Sequence, residues 1–227
     1  MKERSRTPLV IAVVLVVVAV AGLAAVLLTR GSGDESDGTA TTSAASTTVS
    51  GDGSTTAAGE PIIYGAVEAT GTPLPEFTGA DDPAIGLVAP TIVGTTYTGE
   101  PIEIVPGEGG PMMLVFLAHW CPHCNAEIPV LNQWRDSGAI PGDLQVIGVS
   151  TGVSDERPNF PPAQWLAAKG WTWPALADDA NASALQAYGG PSFPYFVVIG
   201  ADGTVKARNV GELPVAQLTT LVDAALT

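Results

Sequence analysis

The chain has 227 residues, room for one or two ordinary domains. It is 46% hydrophobic but only 14% charged, with 26 Gly and 19 Pro, the composition of an apolar segment beside a globular part. The formal net charge is −14, and from residue 31 onward 5 basic residues face 22 acidic ones, a net −17; a surface this acidic repels nucleic acid and anionic lipid headgroups and argues against a DNA, RNA or peripheral-membrane role.

Leu9 to Leu28 is 20 residues without a polar side chain. At helical rise that spans about 30 Å, the thickness of a bilayer core. Lys2, Arg4 and Arg6 precede it, so residues 1–8 are expected to stay in the cytoplasm, 9–28 to form a transmembrane anchor, and the rest to lie outside. The rival reading is a cleaved signal peptide ending near Ala19-Val20-Ala21. Against it, the apolar run continues past that site and exceeds a usual signal core. Residues 29–59 are mostly Gly, Ser, Thr, Ala and Asp, too poor in apolar surface to offset an ordering entropy, and read as a flexible linker. Residues 60–227 are the expected folded domain.

Within that domain, residues 61–67 suggest a short strand and 68–90, rich in Gly, Pro and Asp, a lead-in loop. Residues 91–93 and 101–105 suggest a hairpin. The continuous apolar run at 112–117 predicts a strand buried on both faces. Residues 122–137 read as a helix opened by Pro122, and 144–150 as a second buried strand. Residues 162–169 read as a short helix, 171–177 as a strand, 182–188 as a helix. Residues 195–199 and 204–210 pair across Ala201-Asp202-Gly203. Residues 214–225 close the chain as an amphipathic helix, with Val215, Leu218, Leu221, Val222 and Leu226 on one side. Alternation of this kind predicts an α/β domain, a sheet covered by helices.

The chain has two cysteines, Cys121 and Cys124, in the run Trp120-Cys121-Pro122-His123-Cys124. Cys121 falls where a buried strand gives way to a helix. There, free N–H groups and the helix macrodipole stabilise a thiolate, which is the nucleophile of disulfide exchange. Cys124 lies almost one turn on, within reach of a small-ring disulfide. His123 is expected to add positive charge or donate a hydrogen bond when the thiolate forms, favouring an oxidising pair. Glu127, three residues past Cys124, is placed beneath the dithiol as a proton shuttle. A zinc site would need four ligands, and His119 and His123 crowd too close to the cysteines to complete one. Copper binding by the two thiolates, as in a metallochaperone, stays open. A thiol peroxidase is a further alternative. Asp178-Asp179 reads as a turn and helix cap. His119 reads equally as a thiolate tuner and as a hydrogen-bonded structural residue.

The segment Phe116-Leu117-Ala118-His119-Trp120-Cys121-Pro122-His123-Cys124-Asn125-Ala126-Glu127-Ile128-Pro129 resembles the TlpA/ResA-like branch of the thioredoxin superfamily. Trp120, Glu127 and Pro129 stand where that branch has a Trp, a Glu and a Pro. Gly86 to Pro90, Val146 to Ser150 and Trp173 to Asp178 resemble its opening motif, second core strand and central insertion. Pro194, nine residues before Gly203, resembles its cis-proline, with Pro191 as a competitor. The resemblance implies a thioredoxin-like fold with a mixed central sheet. It implies thiol–disulfide oxidoreductase activity through a Cys121–Cys124 redox disulfide. It turns the backbone at Phe193 and Pro194 toward the substrate, where bulky Phe193 either limits access or favours apolar partners; Trp120 reads equally as a substrate contact and as core packing; no metal or organic cofactor is called for. The partners would be exported thiol or disulfide proteins, with a membrane redox partner compatible with the anchor. The branch points to a reductase, whereas the Pro-His pair between the cysteines resembles the oxidising DsbA-type proteins; both directions of electron flow stay open.

Overall fold

The structure is a computed structural model and describes residues 62–226. The expected N-terminal segment 1–8, anchor 9–28 and linker 29–59 lie outside the described residues. Among the described residues no helix is long and apolar enough to cross a membrane.

Eight strands form one mixed sheet: β1 (Glu68–Thr70), β2 (Thr91–Thr95), β3 (Pro101–Ile104), β4 (Met112–Leu117), β5 (Gln145–Ser150), β6 (Ala175–Ala177), β7 (Tyr195–Ile199) and β8 (Val205–Val210). The helices are α1 (Pro122–Asp136), α2 (Pro162–Ala168), α3 (Ser183–Ala187) and α4 (Val215–Leu226). The strand order is β1-β2-β6-β5-β4-β7-β8, with β3 on the other edge of β2. The centre is β4, parallel to β5 from Met112↔Gln145 to Leu117↔Ser150 and antiparallel to β7. Strand β5 runs parallel to β6, and β7 and β8 close the far side as an antiparallel hairpin.

All six residues of β4 are buried, as a continuous apolar run at a sheet centre requires. Its side chains alternate between two cores. Met113, Val115 and Leu117 meet Ile128, Leu131 and Trp134 of α1 and Leu218 and Val222 of α4. Met112, Leu114 and Phe116 meet Ile92, Ile104, Tyr188 and Tyr195 on the opposite face. Each fully buried aliphatic or Phe side chain contributes about 1.5–3 kcal/mol, so these two layers fix the place of α1 on the sheet. Trp134 also donates its indole N–H to Thr219 Oγ1 at 3.1 Å, tying α1 to α4.

Two boundaries move relative to the expectations. Residues 62–67 are not a strand; the first strand is Glu68–Thr70, whose three exposed side chains give no apolar signal. The expected strand at 171–177 shortens to Ala175–Ala177. Trp171 and Trp173 instead pack edge to face, 5.0 Å between centroids. Gly148 in β5 accommodates Trp171, because a Cβ there would lie 2.7 Å from Trp171 Cζ2.

Candidate active site

The strand β4 delivers the chain to the sheet's C-terminal edge, and α1 begins immediately beyond it. Cys121 is the extended N-cap of α1 (φ −73°, ψ 121°), and Pro122 opens the helix without sacrificing an N–H. Pro129 sits inside the helix and has no N–H to give the carbonyl of Asn125 four residues back. Lys169 Nζ supplies a donor to that carbonyl at 3.2 Å. The Asn125 side chain donates to the carbonyls of His119 (3.1 Å) and Cys121 (2.9 Å) and accepts the Trp165 indole N–H (2.9 Å), which fixes the first turn.

Both cysteines carry free thiols. Cys121 keeps 6% of its surface exposed and Cys124 none, so only Cys121 presents a sulfur to an incoming disulfide. The Cys121 thiol points at the carbonyl of Phe193, 3.6 Å away. The Phe193–Pro194 peptide is cis, whereas Pro191 is not preceded by a cis bond. Pro194 O accepts the N–H of Gly211 at 2.9 Å, which anchors this turn to the segment before α4. Cys124 Sγ accepts the Ala118 N–H at 3.4 Å. Burial pushes the Cys124 thiol far above its ordinary value; the Ala118 N–H opposes this weakly, and Cys121 and Glu127 add to it.

Glu127, three residues past Cys124 on α1, is fully buried and acts electrostatically on the Cys124 thiol. Its Oε2 accepts the Leu213 N–H at 3.0 Å, and its Oε1 has no hydrogen-bond partner. Burial pushes its carboxyl up to about 7; the Leu213 N–H pulls down and the Glu212 charge adds to the rise. A buried carboxyl titrating near neutrality beside a buried thiol is equipped for proton exchange with it.

The two histidines sit in different settings. His123 is largely exposed, and its Nδ1 is 2.6 Å from Glu212 Oε1 rather than directed at either sulfur. His119 is buried; Ser154 N–H donates to its Nε2 (3.2 Å), so its Nδ1–H donates to Pro158 O (2.7 Å). Burial lowers its pKa, and with both nitrogens committed His119 is a structural link between β4 and the loop before α2. Asp178 and Asp179 cap α3: Asp179 accepts the Ser183 N–H and hydroxyl, and Asp178 the N–H groups of Ala184 and Leu185.

Around Cys121, Trp120 and Phe193 meet edge to face at 6.0 Å, and the Trp120 indole N–H donates to Gly152 O at 2.6 Å. Gly152 has a positive φ of 60°, and its missing side chain leaves room for the Phe193 ring. Three further participants leave no sign in the local residue pattern. Leu213 N–H meets Glu127 across 86 residues, Arg157 lies over the Trp120 ring at 4.9 Å, and Phe160 packs its ring on His119. Asn125 was visible inside the motif, but its role depends on Trp165 and Lys169, which no local pattern connects to it.

An outer thiol on a helix N-terminus, an inner thiol behind it and a facing cis-proline, all on a thioredoxin-like sheet, define a thiol–disulfide oxidoreductase. The AhpC/TSA family model matches residues 85–208, and the chain belongs to that family, among its TlpA/ResA-like oxidoreductases. It is similar to the thiol-disulfide oxidoreductase ResA of Bacillus anthracis, 27% identical over 150 residues, covering 63% of this chain and 79% of that protein. It is also similar to the soluble secreted antigen MPT53 of Mycobacterium tuberculosis, 33% identical over 110 residues, covering 48% and 59% respectively. Among solved structures, a thiol:disulfide interchange protein from Chlorobium tepidum shares the fold at a TM-score of 0.50, with 24% identity, covering 70% of this chain and 99% of that one.

Proposed function

We propose that this oxidoreductase exchanges disulfides with exported proteins on the outer side of a membrane, to which residues 9–28 tether it. The basic residues before that run, and the likeness to a protein named as secreted, support the location. The observation that carries the chemistry is a fully buried Cys124 that feels the charge of a fully buried Glu127, whose Oε1 is unpartnered.

In the reductive direction, the Cys121 thiolate attacks one sulfur of the substrate disulfide. The substrate S–S bond breaks, a Cys121–substrate mixed disulfide forms, and one substrate thiolate leaves. Cys124 then passes its proton to Glu127 and attacks the Cys121 sulfur. The Cys121–Cys124 bond forms, the mixed bond breaks, and the second substrate thiolate leaves and takes up a proton. The substrate gains two electrons and the enzyme loses two; a dithiol partner returns them. The same steps run backward when the enzyme donates its disulfide. Trp120, Phe193 and Pro194 border the sulfur that reacts, with the cis-proline turn offering backbone to an extended substrate segment.

Equilibration with mixtures of reduced and oxidised glutathione, followed by acid trapping, tests the reading. A single Cys121–Cys124 disulfide that forms and reduces reversibly is expected, and its midpoint assigns the direction. Failure to exchange with glutathione or any dithiol would overturn it. A Cys124→Ser variant should accumulate mixed disulfides that name the substrates.

A further inference from the structure

The described part of the chain contains five basic side chains: Arg135, Arg157, Lys169, Lys206 and Arg208. Four are committed within the fold. Arg135 bonds Asp136, Asn132, Gly170 O and Thr172; Lys169 bonds Asn125 O; Lys206 pairs with Asp202; Arg208 pairs with Asp82. Arg157 differs. Its guanidinium carbon stands 4.9 Å from the centroid of the Trp120 ring, and among the described residues its side chain makes no hydrogen bond or ion pair. Its backbone is fixed by an N–H bond to Ser154 O at 3.2 Å, in the loop that His119 holds through Ser154 and Pro158. An exposed guanidinium held over an indole keeps its donors free, in a fork that matches a carboxylate.

The position matters as much as the free donors. Arg157 touches Trp120, Trp120 touches Phe193, and the Phe193 carbonyl faces the Cys121 sulfur. The cation thus stands on the same wall as the reactive thiol. Its nearest charged neighbours in sequence, Asp155 and Glu156, are exposed acids, and acidic side chains far outnumber basic ones among the described residues, so this is a positive point in a negative field. Resting on the proposed exchange function, we infer that Arg157 is a specificity-determining residue that binds a carboxylate of the substrate polypeptide beside its reacting cysteine. At about 3.3 Å per residue of extended chain, that carboxylate lies within about four residues of the cysteine. Acidic segments, which the rest of this surface repels, are thereby admitted at the site in one register.

The test compares two disulfide-bonded fluorogenic peptides that differ only in having Glu or Lys two residues from the cysteine. The ratio of kcat/KM for the Glu peptide over the Lys peptide is read within each full-chain variant, so a common loss of folded protein cancels. Wild type should favour the Glu peptide by about five-fold at low salt, and less as salt is raised. Arg157→Gln should bring the ratio to one or below, where the acidic surface alone decides. Arg157→Glu should lower it further, and Arg157→Lys should keep part of the preference. A wild-type ratio of one or less, or a preference that survives Arg157→Gln, overturns the assignment. Exchange of wild type with uncharged 2-hydroxyethyl disulfide separates the two layers: reaction there without a charge preference among peptides removes the role of Arg157 alone, and no reaction with any disulfide removes the exchange function and this inference with it.

Discussion

The two faces of the central sheet each bury a carboxyl, and they treat it in opposite ways. On the face away from α1, Asp82 meets Arg208 of β8. Its Oδ2 accepts Arg208 Nε–H at 2.7 Å, and its Oδ1 accepts both Arg208 Nη2–H and the Ala84 N–H. The same guanidinium satisfies Pro75 O, Tyr188 O and the Tyr195 hydroxyl. Burial alone would raise the Asp82 carboxyl, but the bonds from Arg208 and Ala84 outweigh it, and it is held below its usual value. On the α1 face, Glu127 has one backbone N–H and one bare oxygen, and it sits near 7. A carboxyl that only builds the fold is fully paired. Glu127, left half-paired, holds its proton to higher pH, as the proposed exchange with Cys124 requires.

Cys121→Ser should have the largest effect on the reactive side. With no nucleophilic sulfur at the rim, exchange with every disulfide should vanish in a stopped assay while the thermal transition stays close to wild type. On the other side, Asp82→Ala leaves Arg208 charged and buried without its partner. A loss of about 3–5 kcal/mol is expected, lowering Tm by on the order of 10 °C, with the dithiol of the folded protein still reactive. The pH signs also oppose each other. Because the folded Asp82 pKa is depressed, its stabilisation is present above the unfolded value of about 3.9 and is lost as pH falls through the folded value. Because the folded Glu127 pKa is raised, its contribution is full below the unfolded value of about 4.3 and is lost as pH rises through about 7. Glu127→Gln should therefore flatten the decline in denaturation midpoint between those pH values, whereas Asp82→Asn should lower the midpoint throughout the neutral range and flatten its fall on the acid limb. The smallest effect belongs to the exposed His123–Glu212 pair. Glu212→Gln releases His123 from its carboxylate and should shift the dithiol toward a more oxidising potential by roughly 20 mV or less. A larger shift would mean that His123 governs the sulfur directly, as its place between the cysteines first suggests.

What was legible from residue order follows the same division. Strand β4 was readable to the residue because burial on both faces leaves six apolar residues in a row. The helix start was readable from Pro122, and the reactive cysteines from their spacing along it. The first strand was not, because Glu68–Thr70 is exposed and held only by pairing with β2, which leaves no mark on side-chain choice. The interval from Cys124 puts Glu127 on the dithiol's side of the helix, but its bond to the Leu213 N–H comes from 86 residues away. Adjacency in sequence suggests His123 as a thiolate partner; the helix surface instead carries it out to Glu212. Distant pairings of this kind, and the stacking of Arg157 on Trp120, belong to the folded sheet and not to any local pattern.

The most direct test of a half-paired Glu127 as the proton acceptor for Cys124 is the pH dependence of mixed-disulfide resolution. A Cys121 mixed disulfide with glutathione is prepared, and glutathione release by Cys124 is followed in single turnover from pH 5 to 9. The rate in wild type should rise through an inflection near 7, and Glu127→Gln should lose that inflection and slow the step at pH 7 by about 10- to 100-fold. An inflection near 7 that persists in Glu127→Gln, with an unchanged rate, would contradict the account.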